Sequence, residues 1–108
     1  MQTKHFLSAI LLATLTYSAA AYERPFPSNA KRGTMTPAAY PAIIIDDKER
    51  MLSPGAQIFN TNNTIDMPDT LRVSNVTVNF TENNQGQIHR IWMLNPQEAG
   101  KPLPAQNR

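Results

Sequence analysis

The residues of this chain best suited to chemistry sit close together near its C-terminal end, in Gln87 to Leu94, QIHRIWML. That stretch holds the one tryptophan, Trp92, beside Met93, and His89, the only histidine other than His5. Thioether sulfur and imidazole nitrogen are soft donors suited to Cu(I) or Ag(I). A soft-metal site would take His89 and Met93 and recruit Met51 and Met67; Met35 is a further thioether in the chain. The spacing is unfavourable. His89 and Met93 share one face of a regular strand but lie four residues apart, about 13 Å at strand rise. One ion cannot span that distance unless a bulge intervenes. Methionine and tryptophan are also ordinary filling for a small β core. The main expectation for this stretch is therefore architecture, with no cofactor, and a Cu(I)/Ag(I) site on His89, Met93, Met51 and Met67 is the alternative.

Acid–base chemistry has few candidates. Asp46, Asp47, Glu49, Asp66, Asp69 and Glu82 fall nearly all in expected turns, where aspartate bonds its own backbone. A pair such as Asp46 and Glu49 has the residue types for glycosidic work, but a core this small leaves little room for a substrate cleft. A non-enzymatic role is expected. The chain has no cysteine, which removes thiol catalysis, thiolate metal sites, disulfides and a lipid-anchored N-terminus.

The elements that must position these residues begin after a leader. Lys4 precedes an apolar run from Phe6 to Leu15, and Ala19, Ala20 and Ala21 follow as a cleavage pattern. A run of about ten residues is half of the roughly 20 that a bilayer span requires. A cleaved secretory signal over residues 1–21 is expected, and no transmembrane segment in the mature chain. Secretion without disulfides suits a bacterial periplasm. The leader carries Lys4 but none of the eight acidic residues, so the mature chain is close to neutral. No basic stripe interleaves with aromatics, so nucleic acid is not an expected partner.

Residues 22–41 contain Pro25, Pro27, Pro37 and Pro41 and read as an extended, disordered arm; residues 96–108 read as a polar Pro-rich tail. Between them, residues 42–95 read as a small β domain. Ile43 to Ile45, a tip at Asp46 to Lys48, and Met51-Leu52 form a hairpin signature. Ser53-Pro54-Gly55 and Asn60 to Asn63 read as turns, and a single helical turn fits Pro68 to Leu71. Val76, Val78 and Phe80 alternate with Asn75, Thr77, Asn79 and Thr81, which predicts a strand with one wet, polar face. That polar row, or an unpaired sheet edge, is a candidate binding surface. The sequons at Asn62, Asn75 and Asn79 follow from the same Asn/Thr content.

In QIHRIWML both parities carry large apolar groups. Either a bulge near His89-Arg90 switches the face, or the strand is covered on both sides, with the Pro-rich arm lying across its outside. The expected fold is all-β: a five- to six-stranded barrel or rolled sheet of the OB or SH3-like kind.

RMLSPGAQIFNTNN, NFTENNQGQIHRIWML and NPQEAG together resemble a family of short secreted proteins of β-proteobacteria. Its pattern has an L-S-P-G-A-x-I turn-strand, here Leu52 to Ile58, an Asn62-Asn63 pair, and a G-x-I-x-x-I-W-x-L closing strand, here Gly86 to Leu94. The resemblance covers about half the chain. It implies a periplasmic location and a β fold, and assigns no catalytic or binding residue. Small periplasmic copper/silver chaperones with an OB fold hold Cu(I) by a histidine and two methionines under a tryptophan; their M-T-M sequence is missing here, since GTMTP has one methionine. The expected role is an envelope accessory or interaction module whose partner is an envelope protein or a cell-wall component.

Overall fold

The computed structural model describes residues 23–103; the leader expected over residues 1–21 lies outside them. Six strands follow in order: β1 (Lys31–Pro37), β2 (Ala42–Ile45), β3 (Lys48–Phe59), β4 (Ile65–Asp66), β5 (Val76–Glu82) and β6 (Ile88–Met93). A 3-10 turn, Pro68–Thr70, precedes β5, and a helical turn, α1 (Pro96–Ala99), follows β6.

The sheet order β2-β1-β5-β6-β3-β4 closes through an additional β2–β3 pairing, giving a five-stranded barrel with β4 attached to the end of β3. All neighbours are antiparallel except β3 and β6. Counting barrel strands alone, the circuit is first, second, third, fifth, fourth and back to first, which is OB-fold connectivity. The all-β small barrel expected from the sequence is the fold observed.

Each strand sends alternate side chains inward. Met35, Ile43, Ile45, Leu52, Ile58, Val78, Phe80, Ile88, Ile91 and Met93 form the buried cluster. The alternation in β6 is interrupted where expected: Glu82 faces Ile88 while Thr81 faces Arg90, so His89 is an extra, bulged residue. Inside the bulge Ile88, Ile91 and Met93 all point to the core, and Arg90 and Trp92 point out.

Three expectations need correction. Residues 31–37 lie within the stretch read as a disordered arm, yet they form β1, paired with both β2 and β5. Its inward positions are Gly33 and Met35, so no run of large apolar residues marks it. A Cβ at Gly33 would lie 3.0 Å from Ile45 Cγ2 and 3.2 Å from Phe80 Cε1, which is why this position carries no side chain. The Ser53-Pro54-Gly55 turn is instead an irregular stretch within one long strand, where the β3–β6 register shifts between Leu52 and Gln57. In the tail, α1 is closed by a capping box between Asn95 and Glu98, with Pro96 in its first turn, and Leu103 is buried.

The β2–β3 hairpin turns on Asp46 and Asp47, both at positive φ (54° and 67°), the geometry of a two-residue primed turn. Asp46 uses its carboxylate to accept from the Thr34 backbone N–H at 2.9 Å; Asp47 makes no side-chain hydrogen bond among the described residues. Asp47→Gly is therefore expected to raise stability by about 0.5 kcal/mol by relieving the left-handed backbone. Asp46→Gly should bring no gain, because Thr34 loses its acceptor. Urea midpoints of the two variants provide the measurement.

Candidate functional site

The outer face of β5 and β6 carries an open groove of about 600 Å³. Its floor and one side are Thr81, Glu82, His89, Arg90 and Trp92; the other side is the chain segment Pro25, Phe26 and Pro27, which crosses β6 from outside. Both explanations of the mixed parity in QIHRIWML thus hold together: the strand is bulged, and the arm covers its outer face.

Trp92 sits outside the barrel, half-buried, and not in the core expected for it. Phe59, its neighbour in the parallel register, stacks on it at 5.8 Å and 11°, and Phe26 meets it edge-on at 5.7 Å and 74°. Such aromatic geometry adds about 1 kcal/mol per pair beyond the area buried. The bulge places His89 against the irregular part of β3, where Ser53 Oγ lies 3.0 Å from its Nδ1. Ser53 is 3% exposed, so its hydroxyl positions the imidazole and does not face the groove solvent. Arg90 is exposed and donates from Nε to Gln57 at 3.2 Å. Glu82 is paired with Arg50 and with Lys31, the latter at 2.9 Å.

Two arginines, Arg24 buried and Arg32 half-buried, tie the flanking segments to this face. Arg24 Nε and Nη2 bond the two oxygens of Glu98 at 2.9 and 2.7 Å, Nη2 also donates to the Met93 carbonyl at 2.8 Å, and Nη1 donates to Asn60 O and Asn63 Oδ1 at 2.9 and 3.4 Å. Every guanidinium N–H has an acceptor. Arg32 donates to Asn79 Oδ1 at 2.6 Å and to the carbonyls of Ala99 and Lys101 at 3.1 and 2.8 Å. The predicted wet row on β5 is corrected accordingly: Asn79 is 1% exposed and Thr81 8%. Asn79 Nδ2 is the buried side-chain atom left without a partner among the described residues.

The four metal candidates are not gathered around one point. Met93 is in the core while His89 lines the outer groove, so the strand itself separates them. Met51 is exposed beside Ala42 on the β2–β3 ladder, and Met67 is exposed ahead of the 3-10 turn. Among the described residues no three His, Asp or Glu side chains cluster as a metal site. Sequence reasoning missed Arg24, Arg32 and Glu98. Glu98 had a legible signal in N-P-Q-E, an N-cap followed by proline and a glutamate that closes the capping box.

The Arg24 guanidinium holds the Glu98 carboxyl below the ordinary glutamate range against the opposing effect of burial, aided by the Asn95 backbone N–H. Arg50 and then Lys31 do the same for Glu82. Folded-state values below the unfolded one mean that the unfolded chain binds protons first on acidification. The stabilisation is complete above about pH 4.3, the free glutamate value, and is lost as pH falls through the lowered folded values. Urea midpoints should be flat from neutrality to about pH 5 and fall below pH 4; Glu98→Gln should flatten that acid limb.

Among the described residues no helix is long and apolar enough to cross a membrane. No protein-family model, curated protein or solved structure matches the chain. The assignment of a role therefore rests on the groove and the segments around it.

Proposed function

We propose that this protein is a non-enzymatic binding module of the bacterial envelope, exported to the periplasm by its leader, which captures an envelope protein or cell-wall component in the groove on β5 and β6. Membership in the β-proteobacterial family of short secreted proteins is part of the same proposal, supported by the LSPGAQI and GQIHRIWML stretches.

The observation that carries the reading is the composition of the groove. A braced indole lies beside an exposed guanidinium, an imidazole and a carboxylate on a rigid barrel wall. An apolar surface with a few polar groups is the usual make-up of a recognition site. A sheet edge supports it less, because the barrel is closed and β4 offers only Ile65–Asp66 as a free ladder.

The test is site-specific cross-linking in living cells. A photo-reactive residue at Arg90 in the full chain is expected to give one discrete adduct in the envelope fraction. The same residue at Asp69, on the exposed 3-10 turn, should give none. A smear or no adduct at Arg90, with the protein exported and folded, sinks the proposal.

A further inference from the structure

One wall of the groove does not belong to the barrel. Among the described residues, Glu23 to Phe26 make no backbone–backbone hydrogen bond with any strand; the first such bond nearby is local, Ala30 N–H to Pro27 O at 3.1 Å. Pro25 and Pro27 have no N–H to offer, and they keep the backbone extended. Side chains hold the arm in place. Arg24 is inserted, 5% exposed, into a seat made by Glu98 and the carbonyls of Asn60 and Met93, and Phe26 lies on Trp92 with the Arg24 cation over its ring at 5.4 Å.

The seat has supports of its own. Glu98 Oε1 accepts from the Asn95 backbone N–H at 3.1 Å, and Trp92 is braced from its other side by Phe59. Asn60 O is held in its turn by the Asn63 N–H at 2.9 Å. The receiving surface is thus fixed by groups other than the arm. Aromatic-lined grooves are one way in which proteins hold extended proline-containing segments, and a carboxylate takes an arginine by two parallel hydrogen bonds; this surface offers both.

We infer that this surface is a peptide-recognition site filled by the protein's own arm, and that its partner ligand is an extended segment with an arginine followed by proline, an aromatic residue and proline. The inference rests on the binding-module reading and names the chemistry of its partner. The arm leaves by rotation about Ser28 and Asn29, which lie in a turn between the clasp and β1. A partner segment with larger polar side chains than the arm's reaches Glu82, His89 and Arg90, which line the groove across from the arm, and gains contacts additional to those of Arg24. A tethered arm competes at an effective concentration on the order of millimolar. The apparent affinity for a partner falls by the fraction of molecules whose arm is out, so loosening the arm must tighten binding of a peptide in trans.

The probe is a synthetic peptide of residues 22–30, YERPFPSNA, added to the full mature chain, with the sole tryptophan, Trp92, as reporter. The double variant Arg24→Ala/Phe26→Ala should show red-shifted emission that the peptide reverses saturably. Wild type should respond at least tenfold more weakly, and a peptide with alanine in place of its arginine should not respond. Absence of a saturable change on a variant with a barrel-like circular dichroism spectrum overturns the inference. If the double variant does not fold, Phe26→Ala alone, which keeps the Arg24 clasp, is judged by the same readings. A discrete adduct at Arg90 with no peptide response removes this inference and leaves the binding-module reading; loss of both results removes both.

Discussion

Arg24→Ala is expected to lower the unfolding free energy by about 3–4 kcal/mol, the range for removing one partner of a buried ion pair. Two losses add up. The carboxylate of Glu98, whose side chain is 13% exposed, keeps its desolvation cost without its counter-ion, and the carbonyl of Met93 loses a buried donor. Against a total of roughly 5–10 kcal/mol for a domain of this size, the arm clasp is a large share of stability. Arg24→Lys should recover about half, since an ammonium reaches Glu98 but lacks the planar fork that also serves two backbone carbonyls. Replacing both partners by apolar residues should cost far less than the single change. The exposed pair Lys101–Glu23, at 2.7 Å, gives the contrast: its loss should be within about 0.5 kcal/mol. Urea unfolding followed by Trp92 fluorescence at neutral pH measures all four variants. Salt should hardly change the Arg24 result, because buried pairs are weakly screened.

Ile91→Ala is expected to cost about 3–4 kcal/mol through a cavity in the barrel centre. Ile91 is fully buried and faces Phe80 on β5 and Ile58 on β3 in the ladder. A closed ring of hydrogen-bonded strands cannot move inward to fill the space, so the loss should stand toward the upper part of the range for isoleucine truncation. Met67→Ala, at a position 62% exposed, should change stability by no more than about 0.5 kcal/mol. An Ile91→Ala variant as stable as Met67→Ala would show that β6 is not the central strand of this core.

The parts of the fold legible in sequence were those with local chemistry. Asp46 to Lys48 marks a hairpin tip, Asn60 to Asn63 marks a turn, and Val76, Val78 and Phe80 alternate cleanly. The bulge at His89 was legible as one of two alternatives, because both parities of QIHRIWML carry large apolar groups; the structure shows Ile88, Ile91 and Met93 as the inward set. The hidden parts depend on contacts distant in sequence. Gly33 looks like a linker residue and is in fact a packing position, because Ile45 and Phe80 occupy the space a side chain would need. Asn79 follows the alternation of a wet face, yet it is buried and bonded by Arg32, which is itself tied to the carbonyls of Ala99 and Lys101. Trp92 was expected inside as ordinary filling of a small β core; its place outside follows from the bulge and from Phe26 and Phe59 flanking it. The arm across the outside of β6 was legible as one of two explanations of the mixed parity, but its anchors, Arg24 on Glu98 and Phe26 on Trp92, join positions too distant in sequence to be read there.

Arg24 and Glu98 are 74 positions apart along the chain and touch in space. Beside them Lys101 reaches Glu23 at 2.7 Å, so a short linker from residue 101 to residue 23 can join the two segments. Opened instead between Asn84 and Gln85, in the exposed loop connecting β5 to β6, the rearranged chain keeps every strand pairing of the barrel. In that permuted order Glu98 precedes Arg24 by only a linker's length, and a clasp that now requires closure of nearly the whole domain becomes a neighbour contact, cheaper in chain entropy.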